Sequence, residues 1–289
     1  MIGALLTVAA LFIMGGALIL LASLVPAGRG PARQLWPVYR SEFLVVGAFL
    51  LPVAIGGWAF LAMLLLMAGR GQWETFALFG QSIRAPIPVL AMAGGLAVVV
   101  VSALALDRLP VTLAGAVIIL LMLGRLRAAS TWIAVASLVV PILPLTLMAV
   151  LRSEPQGFLW LALAQATVET NDAFALLVGK LIGHKRPFPR LSPGKTWAGL
   201  VGGLIAGLTA GLAVSCFLIG LPIFAAMVAV SVALAAGLAG DLAVSAIKRW
   251  VGAKDFPSLL PLHGGLLDIY DSLLFAAPAL LLSRNLMGL

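Results

Sequence analysis

The sequence predicts an all-α integral membrane protein, a polytopic bundle of nine or ten transmembrane helices. Hydrophobic residues make up 63% of the 289 residues, the mean hydropathy is +1.17, and only 10% of the residues are charged. A soluble domain of this length could not bury so much apolar surface, because a large part of any folded surface faces water. A transmembrane β-barrel is excluded because short segments of alternating apolar and polar residues are missing.

Ten apolar runs predict the helices, and they cover residues 2–26, 43–55, 56–69, 86–106, 110–125, 129–151, 157–179, 196–219, 221–246 and 266–283. The first run lacks the cationic start of a signal peptide, so we interpret it as a retained helix. Within 43–69, the stretch LPVAIGG predicts a break that gives a helical hairpin, because proline and glycine interrupt helices. Without that break the number of spans is nine. Residues 27–42 and 70–85 are predicted loops.

The net charge of +8 predicts topology rather than nucleic-acid binding. In membrane proteins, cations collect in cytoplasmic loops and meet anionic membrane lipids. The basic loops at 180–195 and 246–265 are therefore expected in the cytoplasm, which puts both termini outside when there are ten helices. All five lysines lie in one part of the chain, at Lys180, Lys185, Lys195, Lys248 and Lys254. A compact ammonium group is a good ligand for phosphate.

The chain is interpreted as a single domain with two unlike halves. Residues 1–155 contain few polar groups within apolar runs and are expected to form a scaffold that contacts lipid. Residues 156–289 are expected to carry the chemistry, because six of the ten acidic residues lie there. These six are Glu169, Asp172, Asp241, Asp255, Asp268 and Asp271.

The helix predicted over 157–179 carries a polar stripe. Gln165, Glu169 and Asp172 are spaced i, i+4 and i+7, so they share one helical face. Ionisable groups are costly in lipid, and the stripe should therefore face the bundle interior or a wet cavity. A polar contact between two helices is the alternative interpretation.

The segment SPGKT predicts the start of the next helix, with Ser192 as the N-cap and Pro193 in the first helical position. The start of a helix offers free N–H groups and a partial positive charge, and Lys195 and Thr196 add side-chain donors, a combination suited to phosphate. A P-loop is excluded because the spaced glycine and the preceding strand are missing. A basic loop set by topology alone is equally compatible with the residues.

The helix ending near position 250 has a second polar face, formed by Asp241, Ser245, Lys248 and Arg249. Asp241 and Lys248 lie two helical turns apart, too far to pair with each other. Each charge therefore needs a partner on another segment or on a ligand.

The last predicted helix begins with Asp268, Asp271 and Ser272 on one face. Carboxylates in a first turn complement the helix dipole, which is a purely structural explanation. Together with Asp241, however, they form a set of hard oxygen ligands suited to Mg²⁺, which binds one or two carboxylates and substrate phosphates. Acids and lysines at the same membrane boundary predict phosphoryl or nucleotidyl transfer to a molecule in the membrane.

Two stretches resemble the signature of the phosphatidate cytidylyltransferases, also called CDP-diacylglycerol synthases. GDLAVSAIKRWVGAKDF and LLPLHGGLLDIYDS follow the pattern S-x-x-K-R-x(4)-K-D-F, then a proline and H-G-G-x-x-D-R-x-D-S. Upstream, NDAFALLVGKLIG and RLSPGKTWAG look like the D-x-x-A-Y-x-x-G-R and SPKKT-x-EG elements of that family. The resemblance covers about residues 155–285.

The resemblance implies the reaction of CTP with phosphatidate, or a similar lipid phosphate, to give CDP-diacylglycerol and pyrophosphate. It implies Mg²⁺ on Asp241 and Asp268, with a second cation left open, and catalytic roles for Asp241, Asp268, Lys248 and Asp271. It places the substrates at Asp172, Ser192, Lys195, Thr196, Ser245, Arg249, Lys254, Asp255, His263, Gly264 and Gly265. It also implies a bacterial inner-membrane protein whose site faces the cytoplasm, with a homodimer left open.

The sequence departs from the family pattern at four positions. Ile269 stands where the pattern has arginine and Ala198 where it has glutamate, while Leu262 replaces glycine and Leu176 replaces tyrosine. Losing an arginine removes a fixed cation beside Asp268. The alternatives are therefore a related membrane transferase that uses CTP on another lipid phosphate or on a polyisoprenol, or an inactive paralogue. A cation transporter is disfavoured because no inverted repeat is visible.

Overall fold

The computed structural model describes residues 20, 23–24, 29–80, 82, 86–104, 115, 129–259 and 264–289. Every regular element in these ranges is helical, which confirms the predicted all-α class. The helices are α1 Arg29–Ile55, α2 Gly57–Leu78, α3 Pro86–Leu104, α4 Ala129–Ser137, α5 Leu143–Ser153, α6 Gly157–Ile182, α7 Trp197–Ala213, α8 Ile223–Trp250, α9 Leu266–Ile269 and α10 Asp271–Leu286. A π-helical turn over Leu138–Ile142 joins α4 to α5, and another over Val214–Ile219 extends α7.

Four helical stretches are long and apolar enough to cross a membrane, namely Ile87–Leu104, Trp132–Ser153, Trp197–Ile219 and Ile223–Trp250. They support an integral membrane protein. The count of nine or ten spans stays a prediction, because only residues 20, 23–24 and 115 of the helices predicted over 2–26 and 110–125 are among the described residues.

The break predicted within LPVAIGG is confirmed at Gly56. Its φ of 71° is a left-handed conformation that glycine adopts easily, and it separates α1 from α2. The two loops predicted on either side are wrong, because α1 is helical from Arg29 and α2 continues to Leu78. Hydropathy alone cannot distinguish a polar extension of a helix from a loop. In α2 the extension is supported by an ion pair between Arg70 and Glu74, one turn apart.

The start of α7 also differs from the prediction. Thr196 is the N-cap, and its Oγ1 accepts a hydrogen bond from Gly199 N at 3.1 Å. Ser192 instead belongs to a turn in which its carbonyl accepts from Lys195 N at 3.2 Å. Serine and threonine are both good caps, so local preference does not choose between them. Lys195 consequently lies just before the helix rather than in its first turn.

Glycines bring α7 very close to α6. A Cβ atom on Gly199 would lie 2.5 Å from the carbonyl oxygen of Ala175, and one on Gly203 would lie 2.6 Å from that of Asn171. Small residues of this kind let membrane helices approach backbone to backbone. The contact places the start of α7 beside the C-terminal half of α6, where Asp172 lies.

The single helix predicted over 266–283 is interrupted at Tyr270, which lies between α9 and α10 with φ −113° and ψ 13°. The Tyr270 hydroxyl donates to the Val45 carbonyl of α1 at 2.9 Å. Asp268 and Asp271 were expected on one helical face, but they lie on different helices.

One end of the bundle holds a set of charges that lies apart from the predicted site residues. Arg152, at the end of α5, donates from Nε to the Val53 carbonyl near the end of α1 at 2.8 Å. Arg284, near the end of α10, pairs with Glu154 at 2.9 Å. The ends of α1, α5 and α10 therefore lie together. The starts of α7 and α10 and the end of α8 lie at the other end, called the site end below.

Candidate active site

An ion pair joins the α6–α7 loop to α8. Lys195 Nζ lies 2.5 Å from Asp241 Oδ2, and each side chain is 19% exposed. Ser245, one turn along α8, donates from Oγ to Asp241 Oδ1 at 3.3 Å. Asp241 thus finds its cation on another segment, as its two-turn distance from Lys248 predicts.

Two further carboxylates surround this pair. Asp172 of α6 interacts electrostatically with Lys195 and Asp241, and Asp271 of α10 interacts with Asp241, Asp172 and Lys248. Hydrogen bonds orient both groups, since Asn171 Nδ2 donates to Asp172 Oδ1 at 2.8 Å and Ser272 N donates to Asp271 Oδ1 at 2.6 Å. Three helices therefore bring three carboxylates together beside two ammonium groups.

Lys195 remains a cation in this setting. Burial lowers its pKa, but the carboxylates of Asp241 and Asp172 raise it by more, so the pKa of Lys195 lies above its ordinary value. The ammonium is therefore charged at neutral pH and can bind an anion such as phosphate.

A second ion pair lies at the end of α8. Lys248 Nζ is 2.5 Å from Asp268 Oδ1, and the two side chains are only 9% and 11% exposed. Asp268 Oδ2 accepts from Phe256 N and from Gly265 N, both at 2.8 Å. The α8–α9 loop is defined here as residues 251–265, with one arm around Phe256 and the other around Gly265. Asp268 therefore binds both arms of this loop to the end of α8.

Three other predicted substrate ligands belong to neither ion pair. Arg249 donates from Nε to the Leu191 carbonyl at 3.3 Å and from Nη1 to the Ala253 carbonyl at 3.1 Å. Lys254 and Asp255 lie exposed on the loop. These three residues remain predicted substrate ligands.

The HGG segment is described in part. Gly264 and Gly265 lie against the Asp268 carboxylate, and Gly264 O accepts from Leu259 N at 3.0 Å. His263 and Leu262 fall outside the described residues. Ile269, where the pattern has arginine, packs against the hydrophobic core. Among the other departures, Leu176 is exposed and Ala198 is half-buried.

Sequence reasoning missed two residues of α2. Glu74 is completely buried, and its Oε1 accepts from Leu266 N at 2.7 Å while its Oε2 accepts from Leu267 N at 2.9 Å. Arg70 pairs with Glu74 and also donates to the Pro257 carbonyl at 2.9 Å. The available signal was their i, i+4 spacing at the end of an apolar run, which is typical of a helix and not of the predicted loop.

The acidic residues fit a divalent cation that is shared with a ligand. In the part of the chain that the structure describes, three or more acidic, histidine or cysteine side chains do not gather closely enough to enclose a metal by themselves. Mg²⁺ needs only one or two carboxylates when phosphates and water complete its shell. Asp241 suits that role, because its Oδ1 has only a long contact with Ser245. Asp268 is more occupied, since both of its oxygens accept from protein donors.

Comparison with known proteins finds relatives that include phosphatidate cytidylyltransferases. The chain is 43% identical over 122 residues to the uncharacterized protein YnbB of Escherichia coli, a match covering 42% of this chain and 41% of that protein. It is 34% identical over 129 residues to a phosphatidate cytidylyltransferase of Brucella abortus, covering 45% and 48%. It is 31% identical over 162 residues to a phosphatidate cytidylyltransferase of Rickettsia bellii, covering 54% and 70%.

The matches to the first two relatives span slightly less than half of their lengths. A sequence profile of the cytidylyltransferase family covers far more of this chain, matching residues 39–287 and so including α2, both ion pairs and the three clustered carboxylates. The protein therefore belongs to the cytidylyltransferase family.

Proposed function

We propose that the protein transfers the cytidylyl group of CTP to phosphatidate, giving CDP-diacylglycerol and pyrophosphate. The observation that carries this proposal is the convergence of Asp172, Asp241 and Asp271 beside Lys195 and Lys248 at one end of a membrane bundle. Such a site suits a triphosphate and a phosphate that is anchored in the adjacent lipid. The names of the Brucella and Rickettsia relatives supply the acceptor.

The chemistry requires charge neutralisation more than proton removal. An oxygen of the lipid phosphate forms a bond to the α-phosphorus of CTP, and the bond from that phosphorus to the bridging oxygen breaks, releasing pyrophosphate. The attacking phosphate is already an anion at neutral pH, so no strong base is needed. Positioning and electrostatic stabilisation then provide most of the acceleration.

Lys195 and Lys248 are the cations best placed to bind the phosphates. Lys195 is partly exposed and lies on a loop, so its ammonium can contact an incoming phosphate while it stays near Asp241. Lys248 is held more firmly by Asp268 and interacts electrostatically with Asp271. Fixed donors of this kind stabilise developing negative charge without having to reorganise during the reaction.

We place Mg²⁺ on Asp241, with Asp172 and Asp271 as the additional carboxylates that interact electrostatically with it. Asp268 stays a predicted ligand, although a metal there would have to share Oδ1 with Lys248. When bound, the ion would act as a Lewis acid that neutralises charge on the phosphate oxygens.

We place the site on the cytoplasmic side of a bacterial inner membrane. The last turn of α6 exposes Lys180, and the loop after α6 exposes Lys185, Arg186 and Arg190. By the positive-inside rule, loops rich in lysine and arginine lie on the cytoplasmic side of the membrane. This loop leads into Lys195 and therefore lies at the site end, where CTP would enter from the cytoplasm.

A second candidate is transfer from CTP to a different lipid phosphate. Ile269 supports it, because this residue packs against the core where the family pattern has an arginine, so that Lys248 is the cation paired with Asp268. The name of the 43% identical relative specifies no acceptor.

The test is an assay of the purified protein in lipid nanodiscs with CTP and Mg²⁺. Phosphatidate, lysophosphatidate and a polyisoprenyl phosphate are offered separately, and the lipid product is identified by mass spectrometry alongside pyrophosphate release. The proposal expects CDP-diacylglycerol and equimolar pyrophosphate, and their loss in Asp241→Asn. The matched control is Glu154→Gln at the opposite end. Product from another acceptor alone supports the second candidate, whereas no product from any acceptor contradicts both.

A further inference from the structure

We propose that Arg70 and Glu74 of α2 are positioning residues that hold the α8–α9 loop so that Asp268 meets Lys248. This inference rests on the proposed function for its effect on turnover, but its structural part can be tested separately. Both residues lie outside the half of the chain that carries the motifs. Neither belongs to the signature that the sequence resembles.

Glu74 supports the start of α9. Its carboxylate accepts from the backbone N–H groups of Leu266 and Leu267, at 2.7 and 2.9 Å, and from Arg70 Nε at 2.7 Å. A helix of four residues cannot satisfy its own first N–H groups, and so short a helix is unstable by itself. Glu74 satisfies two of these N–H groups from a helix almost two hundred residues earlier in the chain.

Arg70 holds the other arm of the same loop. Its Nη2 donates to the Pro257 carbonyl at 2.9 Å and lies 3.3 Å from the Ser258 carbonyl, while its Nε remains on Glu74. The guanidinium also lies 4.3 Å from the centre of the Trp73 ring. The planar fork of arginine can make these contacts together, which a lysine ammonium cannot.

Asp268 closes the loop between these two attachments. It accepts from Phe256 N, next to the arm held by Arg70, and from Gly265 N, next to the N–H groups held by Glu74. A shift of either arm would therefore move the Asp268 carboxylate and, through it, the Lys248 ammonium. The approach is close enough that a Cβ atom on Gly265 would lie 2.5 Å from Glu74 Oε2.

A pair that only stabilised α2 would have different consequences. An i, i+4 ion pair on a helix acts locally, and its loss would not be felt selectively by the residues around 257 and 266. The carboxylate of Glu74 would then be expected near water, whereas it is completely buried against α9. The decisive readout is therefore the order of the α8–α9 loop, measured apart from activity.

The experiment is hydrogen–deuterium exchange on the full-length protein in nanodiscs, comparing wild type, Glu74→Gln and Arg70→Lys. In Glu74→Gln, the amides of Leu266 and Leu267 should exchange roughly tenfold faster or more, while α6 exchanges as in wild type. Arg70→Lys keeps the ion pair but loses the fork, so faster exchange is expected mainly in residues 256–259. Glu154→Gln is the matched control, because it removes another carboxylate paired to arginine but lies at the opposite end.

Kinetics of the same variants complete the test. Misplacing Lys248 should lower kcat by about tenfold or more in Glu74→Gln and change the KM for CTP by roughly twofold at most. Unchanged exchange at residues 264–269 in Glu74→Gln would overturn the inference. So would an equal rise along α6 and α8, since that marks general destabilisation. If wild type shows no transfer with any acceptor, the proposed function fails, and the exchange data still decide the structural role.

Discussion

The two lysine–aspartate pairs have the same separation but different surroundings. In both, an ammonium nitrogen lies 2.5 Å from a carboxylate oxygen. The Lys195–Asp241 pair is partly exposed and interacts with two more carboxylates. The Lys248–Asp268 pair is almost buried, and its carboxylate accepts hydrogen bonds from backbone N–H groups. Ion-pair distance alone therefore does not reveal a role, whereas the neighbours of the carboxylate do.

Charge balance explains the contrast. Around Asp241, three carboxylates meet Lys195 and share Lys248 with Asp268, and this excess of negative charge favours a cation. Around Asp268, two neutral N–H donors and one ammonium satisfy a single carboxylate, and removing that carboxylate would leave buried donors without partners. The first region suits an exchangeable ligand and the second suits a fixed loop.

Asp241→Asn should have the largest effect on activity. Removing this carboxylate takes away the proposed metal ligand and the partner of Lys195, so turnover should fall by about 100- to 1,000-fold. The free energy of unfolding should change by less than about 1 kcal/mol, because the pair is partly exposed and the substitution also relieves repulsion from Asp172 and Asp271. Pyrophosphate release and thermal unfolding in detergent measure the two effects. Near-normal turnover would remove Asp241 from the mechanism.

Asp268→Asn should have a comparable or slightly smaller effect on turnover but a much larger effect on stability. The amide cannot accept from two N–H groups and also neutralise Lys248, so the free energy of unfolding should fall by about 2–4 kcal/mol. Thermal unfolding measures this change, and Asp255→Asn, at an exposed carboxylate of the same loop, is the stability control. A stable Asp268→Asn protein would erase the contrast between the two regions.

The parts of this site that the sequence predicted are those set by local spacing. Asp241 and Lys248 are seven positions apart on one helix, and this spacing already requires a separate partner for each. Similarly, the glycines in LPVAIGG already indicate the break at Gly56. The separation of Asp268 from Asp271 was not predictable in this way. It depends on Tyr270, whose hydroxyl bonds to Val45, a residue far away in the sequence.

Long-range contacts also account for the other errors. Ser192 and Thr196 are equally plausible caps locally, and the close glycine contacts of α7 do not reveal in the sequence which helix they face. Glu74 seemed to be a loop residue because polarity rises near the end of α2. Its role depends on N–H groups of α9, which no local pattern connects to α2.

Lys195→Met should lower turnover by about 10- to 100-fold, because it removes one of the two cations proposed to bind the phosphates. The pKa of Lys195 is raised in the folded protein, so its contribution to stability is complete below the ordinary lysine pKa and is lost only as the pH rises through the higher folded value. The difference in unfolding temperature between wild type and this variant should therefore stay constant from about pH 8 to 9. Thermal unfolding across that range is the measurement, and a difference that disappears within it would show that Lys195 is not held as a cation.

Glu154→Gln should have the smallest effect. Its pair with Arg284 is 2.9 Å long, the arginine side chain is 8% exposed and the glutamate side chain is 34% exposed, at the end opposite the site. The glutamine oxygen can still accept from Arg284, so the buried guanidinium keeps a hydrogen-bond partner. Partly exposed pairs contribute between zero and about 1 kcal/mol, so the unfolding temperature should fall only slightly. Turnover should stay within about twofold of wild type, because the charges proposed to bind phosphates lie at the other end of the helices. Assays of turnover at low and high salt would check this, and a large loss of activity would mean that the two ends of the bundle are coupled.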